Sequence, residues 1–304
     1  MPVRNRGNQQ TAAMRVGRRD VAITHPDKVL FPQDGITKAD LAAYYRDVAP
    51  AMLEHVRDRP LSMQRFNAGI GREGFFQKDI GRGAPDWVRR VEVPKRGGTV
   101  CHPLANEAAT LVWLANLNAI TPHVWTARAD RLDRPDRIVW DLDPSGADDF
   151  GLVRRTAVEL GAVLREAGVE PFAMVTGSRG VHVVVAVRRR YGYEQVRDAA
   201  LAVAEELAAR HPEELTTAFR KVKRAERLFL DVNRNGYAAT AVPAYAVRPR
   251  RGAPVATPLR WEELEDDALR PDGFTIRDVP GRLERDGDPW AALAGSAGAL
   301  PRLP

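Results

Sequence analysis

The sequence contains very little cysteine and no long apolar run. Cys101 is the only cysteine among 304 residues, which excludes an internal disulfide and a zinc site built from several cysteines. No stretch approaches the roughly 20 consecutive apolar residues that a membrane-spanning helix needs. The basic N-terminus is not followed by the apolar segment of a secretory signal, and the chain has no internal repeat. These absences predict a soluble, cytoplasmic protein with no membrane partner.

The charge balance is positive, with 46 Lys and Arg against 40 Asp and Glu and a net charge of +6. Such a balance favours polyanionic partners, of which nucleic acid is the foremost candidate. Hydrophobic residues make up 44% of the chain, which is enough for a packed core in one large domain or two modest ones. The charge narrows the class of partner without naming a reaction.

The pattern of polar and apolar residues divides the chain into three parts. Residues 1–19 are polar and basic without periodicity, which predicts a flexible arm that is either solvated or attached to phosphates. Residues 20–290 are predicted to form a single domain, with an N-terminal subdomain at about 20–130 and a catalytic sheet at about 131–250. Residues 291–304 are predicted to be a C-terminal tail. In the N-terminal subdomain, helices are expected after Thr37, a plausible N-cap, and after Asn106.

The order of elements after residue 136 indicates the fold class. The predicted elements are a strand at about 137–143, a helix at 149–167, strands at 171–176 and 181–187, a helix at 194–210 and a strand at 228–232. This βαββαβ order is typical of the ferredoxin-like arrangement, which RNA-recognition (RRM) folds share. We therefore predict an α+β fold with an RRM/ferredoxin-like core and an added N-terminal α/β subdomain. A further strand at 239–248 and a short helix near 261–269 are expected beyond the core.

Three acids lie at the predicted ends of two strands. Asp141 and Asp143 are two residues apart and project from one face of the first strand. Such close like charges repel unless a cation or proton neutralises them, so the pair is either a divalent-metal site or a polar strand end in water. Asp231 ends the strand expected beside the first one. It is either a third ligand for one or two cations in phosphoryl transfer or an acid before a turn.

A glycine-rich segment, Thr176-Gly-Ser-Arg-Gly-Val-His182, joins the second and third core strands. Glycines let backbone amides approach a phosphate, and the Thr176, Ser178, Arg179 and His182 side chains add donors. A tight hairpin is the alternative explanation. It accounts for the glycines but does not require the arginine or the histidine.

Other residues are candidates for contacts with phosphates or bases. Arg234, Arg248 and Arg250 could neutralise a triphosphate or a template phosphate, or could be surface cations. Phe75 and Phe76 could stack on bases or cover the core. The remaining candidates are Lys28 and Lys38, which flank a predicted helix start where amides favour phosphate, together with His123 and Lys78.

Together these motifs resemble the polymerase domain of bacterial ligase D, a branch of the archaeo-eukaryotic primase superfamily that works in non-homologous end joining. The resemblance spans about residues 20–290 and is carried by THPDKVLFP from Thr24, FFQK from Phe75, VWDLDP from Val139, TGSRGVH from Thr176, LDVNRN from Leu230 and AVPAYAVR from Ala241. The ligase lysine motif and the phosphoesterase segment are absent. The chain is therefore expected to be either a stand-alone relative or a domain of a larger protein.

The resemblance implies a role for each candidate. It implies that Asp141, Asp143 and Asp231 hold two divalent ions, manganese preferentially or magnesium. Nucleotide contacts are implied for His123, Thr176, Ser178, Arg179, His182, Arg234 and Arg248. DNA contacts are implied for Lys28 and Lys38 at a downstream 5′-phosphate, for Phe75 and Phe76 at template bases, and for Lys78 and Arg250. Two residues depart from the family pattern: Thr176 replaces the usual serine, and Arg179 stands where lysine is common, which changes hydrogen-bond geometry.

We therefore predict template-directed nucleotidyl transfer from an NTP or dNTP to a DNA 3′-hydroxyl, with ribonucleotide preference, in the repair of double-strand breaks. The expected partners are gapped or broken DNA bearing a 5′-phosphate, with Ku and an ATP-dependent DNA ligase as further candidates, at the bacterial nucleoid. One alternative is a primase that makes short primers. Others are a metal-dependent DxD glycosyltransferase, which needs neither a third acid nor a basic DNA track, and a non-catalytic nucleic-acid binding module.

Overall fold

The computed structural model describes residues 11–146 and 150–302. Its strands are β1 (Thr11–Val16), β2 (Arg19–Thr24), β3 (Val29–Phe31), β4 (Ile36–Thr37), β5 (Leu61–Arg65), β6 (Phe75–Gln77), β7 (Arg90–Lys95), β8 (Gly98–Pro103), β9 (Ala119–Val124), β10 (Ala127–Arg128), β11 (Arg131–Pro135), β12 (Arg137–Asp143), β13 (Pro171–Val175), β14 (Val181–Ala186), β15 (Leu215–Thr216), β16 (Leu228–Asp231) and β17 (Thr257–Leu259). Its α-helices are α1 (Lys38–Val56), α2 (Ala108–Asn116), α3 (Phe150–Glu166), α4 (Tyr193–Arg210) and α5 (Val279–Asp286). Short 3₁₀ helices cover Lys221–Lys223, Asn233–Asn235, Trp261–Glu265 and Leu293–Ser296.

A six-stranded sheet forms the centre of the molecule, with the strand order β15-β16-β12-β14-β13-β17. Strands β12, β13, β14 and β16 pair antiparallel, and helices α3 and α4 make the connections between them. This is the βαββαβ arrangement that the order of elements predicts, so the α+β fold and its ferredoxin-like core are confirmed. Residue 149, the predicted first residue of α3, lies outside the described residues.

The two faces of this sheet have different partners because side chains alternate along each strand. Ile138, Trp140 and Leu142 of β12 are fully buried in a core that they share with α3 and α4. The indole of Trp140 also donates to the Ala200 carbonyl of α4, at 2.9 Å. The opposite face of β12 carries Val139, which joins the core of the N-terminal layer, and the two acids. The acids therefore lie between the sheet and that layer.

The N-terminal layer is built on α1, α2 and the three-stranded sheet β6-β5-β9. Helix α1 begins as predicted, because Thr37 and Asp40 form a reciprocal cap: the Thr37 hydroxyl accepts from the Asp40 amide, and the Asp40 carboxylate accepts from the Thr37 amide. The apolar face of α1 is buried through Leu41, Val48 and Met52. This layer covers the acid-bearing face of the central sheet. The division into two subdomains near residue 130 remains a prediction.

The prediction of a flexible arm over residues 1–19 is wrong for its second half. Strands β1 and β2 form a hairpin in which Val21 and Ile23 are buried and β2 packs on α2. Gly17, with φ +57°, supplies the left-handed residue of the two-residue turn. Each strand of the hairpin has only two alternating apolar residues larger than alanine, Met14 and Val16 on β1 and Val21 and Ile23 on β2. Because basic residues surround them, so short a pattern does not indicate a strand. Residues 1–10 lie outside the described residues.

The strand predicted at 239–248 is also wrong. This segment is irregular, and single bridges connect Ala241 to Val124 and Val247 to Val255. Pro243 lacks the amide that a ladder needs, and Tyr245 has a φ of +68°, which breaks the extended conformation. The sixth strand of the central sheet is β17 instead.

The C-terminal part of the chain contains more structure than the sequence predicts. The helix expected near 261–269 is a 3₁₀ helix ending at Glu265, and α5 follows without having been predicted. Residues of the predicted tail dock on the domain, since Leu293 is buried and the Gly298 carbonyl accepts from the Arg188 amide at 2.8 Å. Residues 303 and 304 lie outside the described residues. None of the helices in the described part of the chain has the length and apolar character that a membrane crossing requires.

Candidate active site

The strand register brings two of the predicted acids face to face. Asp141 of β12 and Asp231 of β16 are direct partners across an antiparallel ladder, and Asp143 lies two residues further along β12. Side chains directly opposite each other in such a ladder share a face, with Cβ atoms about 4.5–5.5 Å apart. The sequence could not fix this register. The structure therefore brings together the three acids that the sequence singles out.

Asp141 lies between two cationic or donor groups. The Nε2 atom of His182, its direct partner on β14, lies 3.3 Å from Oδ1 of Asp141, and Nε of Arg234 donates to Oδ2 at 3.2 Å. Burial alone would raise the pKa of Asp141, but the charges and hydrogen bonds of His182 and Arg234 outweigh burial and hold this pKa well below its usual range. The carboxylate is therefore ionised throughout the physiological pH range.

The other two acids have their own hydrogen-bond donors. Arg179 donates through Nη2 to Oδ1 of Asp143, at 3.0 Å. Oδ1 of Asp231 accepts from the Asn233 amide at 2.8 Å and from its side chain at 2.6 Å, and Nη2 of Arg234 lies 3.9 Å from Oδ2. Arg234 is thus shared by two of the acids. Because burial opposes and Asp141 and Asp231 favour its charge, the pKa of Arg234 rises on balance.

The donor set fits a hard divalent cation in its chemistry, since three carboxylates converge at one end of two neighbouring strands. As the side chains are placed, however, no group of three or more His, Cys, Asp or Glu residues within 11–146 and 150–302 is assembled as a metal site. The carboxylates instead contact Arg179, His182 and Arg234. The assignment of Asp141, Asp143 and Asp231 as metal ligands remains a prediction.

The glycine-rich segment between β13 and β14 is a tight turn beside the acids. The Thr176 amide donates to the Gly180 carbonyl at 3.0 Å, and its hydroxyl accepts from the Gly180 amide at 3.3 Å. Gly177 has a φ of +65°, and a Cβ on Gly180 would lie 2.1 Å from the Leu142 carbonyl oxygen. Both glycines are thus required by the turn itself. The turn also directs Arg179 at the acids, which a hairpin alone would not need.

Asp141, Asp143 and the turn line one cleft of about 360 Å³. Asp231 is not among the lining residues, although it pairs directly with Asp141 across the ladder. Ten of the predicted site residues line the cleft: His123, Asp141, Asp143, Thr176, Ser178, Arg179, His182, Arg234, Arg248 and Arg250. Sequence reasoning missed Gly180 as a wall of the cleft and missed Thr240, Ala241 and Val242. The last three were missed because a strand was predicted at 239–248. Side chains alternate between the two faces of a strand, whereas an irregular segment can direct consecutive residues into the cleft.

Three buried side-chain nitrogens in this cleft have no hydrogen-bond partner among the described residues: Nε2 of His123, Nδ1 of His182 and Nε of Arg248. Buried polar atoms are nearly always paired, so these atoms mark positions where a ligand would be favoured. Burial, followed by the charges of Arg248 and Arg234, lowers the pKa of His123 to about 3. His123 is therefore neutral near pH 7 and suited to a hydroxyl group rather than a phosphate.

Arg248 reaches the turn from the irregular segment. Its Nη1 atom donates to the Thr176 carbonyl at 3.3 Å, and burial lowers the pKa of its guanidinium. A desolvated cation with an unpaired Nε favours an anion strongly. Arg250, by contrast, is exposed at the rim of the cleft.

The two predicted stacking residues lie on β6, at the edge of the N-terminal layer. Phe75 and Phe76 are 45% and 57% exposed, which is unusual for side chains of this size. The Phe76 ring also packs edge-on against His123, with centroids 5.2 Å apart. The exposed pair is therefore continuous with the cleft. Lys78 is exposed and does not line the cleft.

The two predicted phosphate-gripping lysines lie near each other on the same layer. Nζ of Lys38 donates to the Thr24 carbonyl at 2.7 Å, and Nζ of Lys28 donates to the Asn67 carbonyl. Lys38 is only 2% exposed, and its burial, together with the charges of Lys28 and Arg65, lowers its pKa to about 8. Sequence reasoning missed Arg65, which no motif marks and which the β5–β6 pairing brings to this cluster.

Comparisons with known proteins agree on one family. A model of the LigD primase-polymerase domain matches residues 37–290. The multifunctional non-homologous end joining proteins LigD of Mycolicibacterium smegmatis and Pseudomonas aeruginosa are 32% and 33% identical over 93% and 97% of this chain, which covers 37% and 35% of theirs. This chain thus spans about a third of the length of these relatives. The solved polymerase domain of Mycobacterium tuberculosis ligase D, in complex with DNA, superposes with a TM-score of 0.85 at 31% identity, covering 91% of this chain and 99% of that one. The chain therefore belongs to the LigD primase-polymerase domain family, a family of DNA-directed nucleotidyltransferases.

Proposed function

We propose that this protein extends a DNA 3′-hydroxyl by template-directed nucleotidyl transfer, filling short gaps or ends during the non-homologous joining of broken DNA. The observation that carries the proposal is that Asp141, which is paired directly with Asp231 on the neighbouring strand, lines one cleft with the donor-rich turn at Thr176–His182. A DxD glycosyltransferase would need neither Asp231 nor this turn. The proposed partners are DNA with a 5′-phosphate, a nucleoside triphosphate, Ku and an ATP-dependent DNA ligase, and the proposed location is the bacterial cytoplasm at the nucleoid.

The nucleotide tail would be bound by the turn. Ser178, Arg179 and Arg248 line the cleft; the Ser178 hydroxyl would donate to a triphosphate, and the two guanidinium groups would neutralise its charge. The imidazole of His123, neutral near pH 7, would contact the sugar, and this contact is the proposed basis of a ribonucleotide preference. Arg234 would lie close to the reacting phosphate, since it contacts Asp141.

The acids would hold two divalent ions, manganese or magnesium. Ions held by Asp141, Asp143 and Asp231 would supply positive charge at the attacking oxygen and at the leaving pyrophosphate. The role of the protein in this step is to keep the carboxylates ionised. His182 and Arg234 do this for Asp141, because they hold its pKa low despite burial.

The DNA would lie across the N-terminal layer. Phe75 and Phe76 would stack on template bases, and Lys28 and Lys38 would bind the 5′-phosphate of the downstream strand. The exposure of Phe75 and Phe76 and the proximity of the two lysine charges support this proposal. Lys78 and Arg250 would add contacts to backbone phosphates.

The proposal is tested by primer extension on DNA with a one-nucleotide gap and a 5′-phosphate, with manganese and either ATP or dATP. Extension that is faster with the ribonucleotide is expected. Lys28→Ala should reduce extension on phosphorylated gaps more than on unphosphorylated ones, and equal loss on both would contradict the phosphate role. DNA binding without any extension, on this template or on a single strand without a primer, would favour a non-catalytic module over a polymerase or a primase.

A further inference from the structure

Arg248 is carried into the cleft by an irregular segment, residues 241–248, which we name the strap. Two single bridges, at Ala241 and Val247, join the strap to neighbouring segments. The Tyr245 and Arg248 amides also donate to the Ala256 and Pro254 carbonyls, at 2.7 Å each. These backbone bonds leave the amide and carbonyl of Val247, and the side chain of Tyr245, to be held by side chains from elsewhere in the fold. Two such anchors lie outside the cleft.

The first anchor is Tyr45 on α1. Its side chain is 1% exposed, and its hydroxyl donates to the Ile120 carbonyl at 2.6 Å and accepts from the Val247 amide at 3.2 Å. The Val247 carbonyl accepts from the Thr121 hydroxyl at 2.5 Å. Both backbone polar groups of the residue before Arg248 are therefore held by side chains. Without the Tyr45 hydroxyl, the Val247 amide would be buried without a partner.

The second anchor is Asp288, which follows α5. Its Oδ1 accepts from the Tyr245 hydroxyl at 2.6 Å, and its Oδ2 lies 2.7 Å from Nε2 of His55. Tyr245 has a φ of +68°, a left-handed conformation that is unfavourable for a bulky residue and needs support from its surroundings. Tyr44 adds to this support, because its hydroxyl donates to the Tyr245 carbonyl at 2.9 Å.

These two anchors restrict the positions that Arg248 can take. Its Nη1 atom contacts the Thr176 carbonyl, and a Cβ on Gly177 would come within 2.8 Å of its Cγ, so the guanidinium lies close against the turn. Its Nε atom has no partner among the described residues. A shift of the strap by even 1 Å would move this group out of hydrogen-bonding range of a ligand on the turn.

We propose that Tyr45 and Asp288 are positioning residues for nucleotide binding: they hold the strap so that Arg248 presents its guanidinium to the triphosphate. This inference rests on the proposed function, because it assigns the triphosphate to the turn. Neither residue lines the cleft, so each acts through Arg248. Their role is therefore visible only as a change in nucleotide affinity that depends on Arg248.

The test is a double-mutant cycle on nucleotide affinity. The Kd of a fluorescent ATP analogue is measured by direct binding with manganese, and the KM and kcat of ATP by primer extension. Tyr45→Phe should raise both Kd and KM about tenfold and change kcat less than twofold, the size expected for the loss of one buried hydrogen bond. In an Arg248→Ala background, Tyr45→Phe should change Kd less than twofold. Equal effects in the two backgrounds, or no effect in the first, would overturn the inference.

A matched control and a second variant separate positioning from general destabilisation. Tyr193→Phe removes another buried phenol hydroxyl, one that contacts no strap residue, and should leave Kd unchanged. Asp288→Ala should raise Kd, whereas Asp288→Asn should restore most of the affinity, since the amide oxygen still accepts from Tyr245. If Tyr45→Phe does not fold, the two variants at Asp288 test the inference instead. Equal Kd values for Asp288→Ala and Asp288→Asn would overturn it. If the unsubstituted protein binds the ATP analogue but does not extend a primer, the proposed function is contradicted. The positioning role of Tyr45 and Asp288 is then still decided by the double-mutant cycle on Kd.

Discussion

The ammonium group of Lys38 lies in surroundings that disfavour its positive charge. Its side chain is 2% exposed, and burial together with the neighbouring charges of Lys28 and Arg65 lowers its pKa to about 8. The ammonium form therefore predominates at pH 7 and is lost as the pH rises through 8. Since only this form binds a phosphate strongly, the preference for 5′-phosphorylated gaps should fall severalfold between pH 7 and pH 9. The ratio of DNA affinities for phosphorylated and unphosphorylated gaps, measured by fluorescence anisotropy, reports this preference directly.

A Lys38→Arg variant is the control, because guanidinium remains charged throughout that range. Its affinity ratio should stay constant from pH 7 to pH 9. A ratio that also stays constant in the unsubstituted protein would contradict the titration of Lys38 within this range.

The sequence predicts the individual acids and donors well but not their surroundings. Asp141, Asp143 and His182 could be found because alternation along a strand fixes the face of each side chain, whatever the tertiary context. The surroundings of Lys38 could not be found, because its ammonium contacts the Thr24 carbonyl of the β1–β2 hairpin. A stretch of sequence with basic residues and a short apolar alternation does not reveal such a hairpin.

The turn between β13 and β14 makes a prediction at the level of an element. A Cβ on Gly180 would lie 2.1 Å from the Leu142 carbonyl oxygen, and a backbone atom of β12 cannot move away without disturbing the acids. Gly180→Ala should therefore lower the free energy of unfolding by at least about 2 kcal/mol and weaken nucleotide binding severely. Urea unfolding and direct nucleotide binding measure the two effects.

Gly168 provides the matched control. It has a φ of +77°, but a Cβ there would meet nothing within 4 Å. Gly168→Ala should cost only the strain of the left-handed conformation, about 1 kcal/mol, and leave nucleotide binding intact. Equal destabilisation by the two substitutions would show that the close approach of the turn to β12 is not important.

The strap shows where prediction of elements from sequence reaches its limit. Its apolar residues suggest a strand, and local sequence does not reveal that Tyr245 adopts a left-handed conformation. That conformation depends on Asp288 and Tyr44, which are 43 and 201 residues away along the chain. Tertiary contacts between residues so far apart in sequence therefore determine whether this segment forms a strand or the irregular strap.

The whole molecule is held together partly by a buried ion pair between its two layers. Arg59, which follows α1, is 1% exposed and donates to Asp136, which precedes β12, at 2.9 Å. Arg128 donates to the same oxygen at 2.9 Å. Asp136→Asn should lower the free energy of unfolding by about 3 kcal/mol or more, because Arg59 would remain buried without a counter-charge.

The control is Asp130→Asn, which breaks the ion pair between Asp130 and Arg189. The Asp130 side chain is largely exposed. This change should cost less than about 1 kcal/mol in the same urea titrations. Similar losses for the two variants would contradict the importance of burial at Asp136.

The same ion pair predicts acid sensitivity. Burial would raise the pKa of Asp136, but the charges of Arg59 and Arg137 outweigh it, and the folded-state pKa is lowered. A lowered pKa contributes stability that is present above the unfolded-state value of about 4 and is lost as the pH falls towards the folded-state value. Asp136→Asn should therefore flatten the dependence of unfolding free energy on pH below 4, and an unchanged slope would contradict this.

The most direct test of the account is single-nucleotide incorporation by Asp231→Asn on gapped, 5′-phosphorylated DNA with manganese. Asp231 lies directly opposite Asp141 but is far from it in sequence, so no local motif explains its importance. We expect a loss of at least about a hundredfold in incorporation rate, with DNA affinity and unfolding free energy nearly unchanged and with Asp130→Asn fully active. Incorporation by Asp231→Asn at the rate of the unsubstituted protein would contradict the account.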